Sequence, residues 1–194
     1  MALTVAFIGT GKKKEKGTVQ GYAMAYTHAH GFSELDDVEL VAACDLIEEN
    51  VAAFADHFGI GQTFSDYNVM LREVQPEAVT ISTWPHLHER MVVDAARAGV
   101  RVIYCEKPMA DTIGGARRML QVCDEEGAVL AFNHQRRYGK PFQLAKQMLD
   151  AGRIGDLKRI EWGGSNIYDY GSHNFDMAQF FNNETPPAWV TAQV

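Results

Sequence analysis

A carboxylate and an amine stand side by side at Glu106-Lys107, and Pro108 follows at once. The stretch before them, Val100–Cys105, is short, apolar and rich in β-formers, so it reads as a buried strand. Pro108 disfavours helix at Lys107 and keeps that residue extended. Lys107 is therefore expected just past the carboxyl end of a buried strand, which is where open α/β sheets bind their ligands. A surface Glu–Lys pair in a turn would be the default reading if the pair stood alone. It does not stand alone.

Two further groups point to the same kind of crevice. Gly9-Thr10-Gly11 directly follows an apolar run, Leu3–Ile8. Glycines there permit a tight turn and let the backbone approach a pyrophosphate, which then sits on a helix N-terminus. Position 14 is Lys, so the third glycine of the usual fingerprint is displaced, and Gly17 or Gly21 is expected to take its packing role. No Gly-Lys-Ser/Thr occurs, which excludes a P-loop. The lysine run Lys12-Lys13-Lys14 reads first as a solvated loop. Asp45 closes a second apolar run, Val38–Cys44, in the place where a carboxylate takes adenosine ribose hydroxyls. It lies further from Gly11 than the usual ~20 residues, an excess the expanded loop explains. Its rival role is to cap the following helix. A carboxylate there also repels a 2′-phosphate, so NAD is expected over NADP.

Strands and helices must alternate to position these groups, and the pattern does so. After Leu3–Ile8 come a helix at about Val19–His30 ended by Gly31, the strand Val38–Cys44, and a helix at Ile47–Phe58. A short strand at Gln62–Phe64, a helix at Tyr67–Val74, a strand at Ala78–Ser82 and a helix at His88–Ala98 follow. The strand Arg101–Cys105, a helix at Thr112–Glu126 and a strand at Val129–Phe132 complete the set. This order predicts an α/β fold, a doubly wound parallel sheet of the Rossmann kind, over residues 1–135. Beyond Asn133-His134-Gln135-Arg136-Arg137-Tyr138 the pattern changes. Pro141–Ala151 and Ser172–Phe181 read as helices, whereas Leu157–Tyr168 and Ala188–Val194 read as half-exposed antiparallel strands. Residues 136–194 are thus expected to open an α+β domain with a mainly antiparallel sheet, and to be only its N-terminal part.

Composition narrows the partners. The chain has 194 residues, is 46% hydrophobic, and carries a net charge of -7, which argues against a general nucleic-acid binder. Its three cysteines have no metal-ligand spacing, so no metal is expected, and thiols in apolar runs suit a reducing cytoplasm. No apolar run approaches a membrane span, and no signal-peptide pattern opens the sequence.

Five stretches in order resemble the glucose–fructose oxidoreductase / inositol dehydrogenase (Gfo/Idh/MocA) family. They are Phe7-Ile8-Gly9-Thr10-Gly11, Thr83-Trp84-Pro85-His86-Leu87-His88, Glu106-Lys107-Pro108, Gln135-Arg136-Arg137-Tyr138 and Gly171-Ser172-His173-Asn174-Phe175-Asp176. The resemblance implies hydride transfer between NAD and a secondary alcohol of a sugar or polyol. It implies a cofactor site of Gly9, Thr10, Gly11, Asp45, Thr83, Trp84, His88, Glu106 and Lys107, with Lys107 between nicotinamide and substrate. Trp84 and Pro85 replace the Pro and Asn of the family's Thr-Pro-Asn-x-x-His loop, so an amide contact to the cofactor is lost. The inositol-dehydrogenase pattern has a His four positions after the motif Asp, and Phe180 stands there. Lys107, Asp176 and, in place of that missing His, His173 are the candidate catalytic residues. His173 and Asp176 are spaced to share a helix face. His28, His30, His57 and His134 receive no role, because isolated histidines are more often structural or solvated.

Two rival functions use the same fold. One is a glycosidase that keeps NAD bound and oxidises its substrate transiently; the other is a non-catalytic NAD-sensing regulator. Lys107, His173 and Asp176 together favour an enzyme, since a sensor needs only the first domain. The resemblance also implies a homo-oligomer built through the second-domain sheet. With strands missing, that sheet is expected to leave Ile160, Trp162, Trp189 and Val190 poorly covered.

Overall fold

A computed structural model of the chain describes residues 2–12, 24–163 and 166–193. It divides into two compact units, Met1–Asn133 and His134–Val194.

The first unit is a six-stranded parallel sheet. Its strands are β1 (Leu3–Ile8), β2 (Val38–Cys44), β3 (Gln62–Phe64), β4 (Ala78–Ile81), β5 (Val102–Cys105) and β6 (Val129–Phe132). The spatial order β3-β2-β1-β4-β5-β6 is that of a doubly wound dinucleotide-binding sheet, with the strand order reversing between β1 and β4. Every pairing is parallel. Strands buried on both faces need apolar side chains on both faces, and β1 supplies them by alternation. Val5 and Phe7 pack with α1 (Met24–Ser33) and α2 (Glu48–Phe58), around Tyr26, Phe54 and Ala55. Ala6 and Ile8 face the other way, into the layer of α3 (Tyr67–Val74), α4 (Pro85–Arg97) and α5 (Ile113–Glu126), with Met70, Val92 and Met119. Burying a side chain such as Phe7 or Phe54 stabilises the unit by about 1.5–3 kcal/mol each.

Local signals set several boundaries. Asp66 accepts a hydrogen bond from the Asn68 amide to start α3, and Thr112 accepts one from Gly115 to start α5. One expected boundary moves: α1 runs through Gly31 to Ser33, whose hydroxyl donates to the Ala29 carbonyl. Nothing lies near Gly31 to require a glycine there, so the residue does not act as a stop. The expected helical residues 19–23, and the packing roles of Gly17 and Gly21, lie outside the described residues. All three cysteines are free thiols and buried. Burial, with Asp45 and Asp66 nearby, pushes the Cys44 thiol up to about 12.

The second unit holds a 3-10 turn (Gln135–Tyr138) and two helices, α6 (Lys140–Asp150) and α7 (Tyr170–Phe181). The expected strands at Leu157–Tyr168 and Ala188–Val194 are corrected: residues 157–163 and 188–193 carry no strand, and 167–169 form a turn. Alternating side chains make a strand only where a neighbouring strand takes up the backbone groups. None does so among the described residues. Trp189 and Val190 are exposed. Among the described residues no helix is long and apolar enough to cross a membrane.

Candidate active site

The carboxyl ends of β1, β2, β4 and β5 bring the first unit's candidate residues to one edge of the sheet. At the end of β1 the backbone turns at Gly9, with φ +83°, and at Gly11, with φ +63°. A Cβ on Gly9 would lie 2.6 Å from Thr83 Cγ2 and 2.9 Å from the Ser82 carbonyl oxygen. Only glycine fits, because the loop after β4 closes directly over the loop after β1.

Asp45 sits at the end of β2 and grips that turn. Its Oδ2 accepts from the Thr10 amide at 2.9 Å, the Thr10 hydroxyl at 3.1 Å and the Gly11 amide at 2.9 Å. Its Oδ1 accepts from the Ile47 amide at 2.9 Å, next to the start of α2. So the carboxylate both clamps the glycine turn and serves the entry to α2. The clamp was not legible in sequence, since Thr10 and Asp45 are 35 positions apart.

The loop after β4 carries Thr83, Trp84 and His88. Thr83 packs on Gly9, and its hydroxyl donates to Met91 Sδ at 3.3 Å. Trp84 precedes α4 and is 60% exposed. His88 is 0% exposed; its Nδ1 lies 2.9 Å from the Pro108 carbonyl oxygen and its Nε2 3.3 Å from that of Thr83. Burial lowers its pKa, with those carbonyls and the Glu106 charge acting against the shift. Through these two contacts His88 ties the Thr83 loop to the loop after β5.

At the end of β5, Glu106 is 7% exposed while Lys107 beside it is half-buried. The Lys107–Pro108 peptide bond is cis. Glu106 Oε1 receives Asn133 Nδ2 at 2.6 Å and lies 2.9 Å from His28 Nε2. The Lys107 amide donates to Oε2 at 3.3 Å. Behind them the Tyr104 hydroxyl donates to Asn133 Oδ1 at 2.6 Å, and the Tyr104 ring packs on His28 at 4.8 Å. Burial pushes the Glu106 carboxyl up, yet the bonds from His28 and Asn133, the His28 charge and the Lys107 amide together hold it below its ordinary value. His28, assigned no role from sequence, is thus buried against the carboxylate, a correction that also brings in Asn133. The separations of 78 and 105 positions from His28 to Glu106 and Asn133 left no local signal.

In the second unit, His173 and Asp176 lie one turn apart on α7, as their spacing predicts. His173 is buried, its ring 5.8 Å from that of His134 and edge-on to it. Asp176 Oδ1 accepts from Arg137 Nε at 2.6 Å, and Arg137 also reaches Glu184 at 2.6 Å. Asp176 Oδ2 is buried without a hydrogen-bond partner among the described residues. Phe180, which stands where a His was looked for, packs under the Arg137 guanidinium at 5.7 Å. Arg136 donates to Asn174 Oδ1 at 3.2 Å.

A parallel sheet with this reversal, a glycine turn clamped from β2, and a Glu-Lys-Pro segment at the end of β5 together make a domain of the dinucleotide-binding Rossmann kind. A profile of the Gfo/Idh/MocA oxidoreductases, described as an oxidoreductase family with an NAD-binding Rossmann fold, matches residues 3–134, and the chain belongs to this family. Among curated relatives, D-apiose dehydrogenase of Paraburkholderia graminis is 34% identical over 94% of this chain and 54% of its own length. D-glucoside 3-dehydrogenase of Escherichia coli is 28% identical over 92% of this chain and 53% of its own. Among solved structures, scyllo-inositol dehydrogenase from Lactobacillus casei with bound NAD(H) and scyllo-inositol shares the fold, with a TM-score of 0.78. It is 19% identical, over 93% of this chain and 56% of that one. The chain spans about half the length of the curated relatives it matches.

Proposed function

We propose that this chain carries the cofactor site of an NAD-dependent dehydrogenase that oxidises a secondary alcohol of a sugar or polyol. The observation that carries the reading is the half-buried Lys107 at the end of β5, on the sheet edge shared with the clamped glycine turn. The family and the dehydrogenases it resembles supply the substrate class. The dinucleotide fits the residues present, because the Gly9 turn leaves no room for a side chain and lets a ligand approach the backbone. Gly9, Thr10 and Gly11 would line the pyrophosphate, Asp45 would face the adenosine ribose, and Thr83, Trp84, Glu106 and Lys107 the other half. When bound, the nicotinamide supplies the carbon that accepts hydride. Lys107 takes or shares the hydroxyl proton.

A panel of sugars and polyols offered with NAD, followed through the absorbance of reduced cofactor, tests the reading. Turnover of at least one polyol or sugar is expected. Cofactor binding without turnover of any member would favour the NAD-sensing alternative.

Asp45 predicts cofactor choice. NAD is expected to bind more tightly than NADP, and Asp45→Ala to narrow that gap. The clamp adds a second effect: losing a charged acceptor costs about 1.5–3 kcal/mol, so both cofactors should bind the variant one to two decades more weakly. Calorimetric titration measures this. An unchanged NADP affinity in the variant would show that the clamp is dispensable to the turn.

A further inference from the structure

We propose that the buried Glu106 carboxylate, held by His28 and Asn133, makes the crevice discriminate between the oxidised and reduced forms of its nicotinamide cofactor. The inference rests on the dinucleotide reading above and adds to it a role for charge.

The placement follows from the sheet. A dinucleotide lies across the point where strand order reverses, here between β1 and β4. Asp45, at the end of β2, claims the adenosine half for the β2 side. The nicotinamide half then lies over the ends of β4 and β5, where Glu106 stands. The oxidised ring carries a positive charge that the reduced ring lacks, so a fixed negative charge near it favours the oxidised form alone.

The hydrogen bonds fix that charge. They run in one direction, from the Tyr104 hydroxyl to Asn133 Oδ1 and from Asn133 Nδ2 to Glu106 Oε1, with His28 Nε2 on the same oxygen. Asn133 Nδ2 donates to Oε1, with His28 Nε2 2.9 Å from the same oxygen, and the Lys107 amide donates to Oε2. A proton added to the carboxyl would oppose donors already in place. The pair His28–Asn133, 3.2 Å apart, is therefore built for an anion. His28 and Asn133 act through Glu106 and are positioning residues.

Titration of the full chain with NAD+ and with NADH measures the ratio of the two affinities. Glu106→Gln keeps the shape and removes the charge. The preference for NAD+ over NADH is expected to fall about tenfold as one unit of negative charge beside the ring is lost. AMP, which reaches only the adenosine end, should bind the variant as it binds the unmutated chain, and so reports an intact fold. His28→Gln, which keeps a donor, should hold the ratio, whereas His28→Leu should shift it in the direction of Glu106→Gln. This pair carries the test if Glu106→Gln loses AMP binding. Both cofactor forms binding with the same ratio in Glu106→Gln or His28→Leu as in the unmutated chain would overturn the inference and leave the dehydrogenase reading standing. Binding of neither form to the unmutated chain would overturn that reading and the inference with it.

Discussion

Lys107→Met is expected to lower turnover by about 10²–10⁴ while NAD still binds. The lysine lies at the carboxyl end of β5, half-buried, with its own backbone amide bonded to Glu106 Oε2. Methionine matches its length and fills the same space without offering a nitrogen. The glycine turn, the Asp45 clamp and the Thr83 loop do not depend on the ammonium group, so the binding surface survives the change. Single-turnover and steady-state rates on the best substrate of the panel, with calorimetric titration of NAD alongside, separate chemistry from binding. Near-normal turnover in the variant would move the proton-accepting role to His173. Loss of NAD binding would show that Lys107 holds the cofactor rather than the proton.

Gly9→Ala is expected to damage both fold and site. The left-handed backbone costs a residue with a side chain about 1–2 kcal/mol. Contacts of 2.6 Å to Thr83 Cγ2 and 2.9 Å to the Ser82 carbonyl oxygen add an overpacking cost of about 1–3 kcal/mol. If the turn stays, the cost appears as a lower melting temperature. If the turn shifts to escape, the cost appears as weaker NAD binding, about tenfold for each 1.4 kcal/mol. Adding Thr83→Ser removes the nearer of the two contacts and leaves the backbone one, so a partial recovery is expected. Thermal unfolding and NAD titration on the single and double variants check both. A single variant unchanged in melting temperature and affinity would mean that the two loops separate freely.

The first unit was largely legible because its information is local. Parallel strands covered on both faces need near-continuous apolar runs, and Val5–Ile8 is such a run, as is Ala78–Ile81 but for Thr80. Glycines and caps then mark helix ends, whereas α4 starts at Pro85, three residues before the expected His88. What escaped is what long-range contact decides. Leu157, Ile160 and Trp162 separated by Lys158, Arg159 and Glu161 look like one half of a sheet, but a strand exists only by pairing, and pairing is not written in the strand itself. His28 looked like any helical histidine until the fold brought β5 and β6 to it. Asp45 reads from sequence as a candidate ribose acceptor, whereas its grip on Thr10 and Gly11 needs β1 and β2 side by side. Lys107 was the opposite case, since a strand before it and a proline after it sufficed to place it.

The buried cysteines make the sheet its own chemical clock. Cys44 ends β2 beneath Asp45, Cys105 ends β5 beneath Glu106, and Cys123 lies on α5. Burial raises all three thiols, with Asp45 and Asp66 adding to the effect on Cys44 and Glu106 to that on Cys105. A thiol kept protonated and covered does not react with an alkylating reagent. Each site is therefore labelled only during the moments when its own stretch of backbone opens, and the labelling rate counts those openings. Two of the counters immediately precede Asp45 and Glu106 in the chain, so the same natural residues time the loosening of the ends of β2 and of β5 separately.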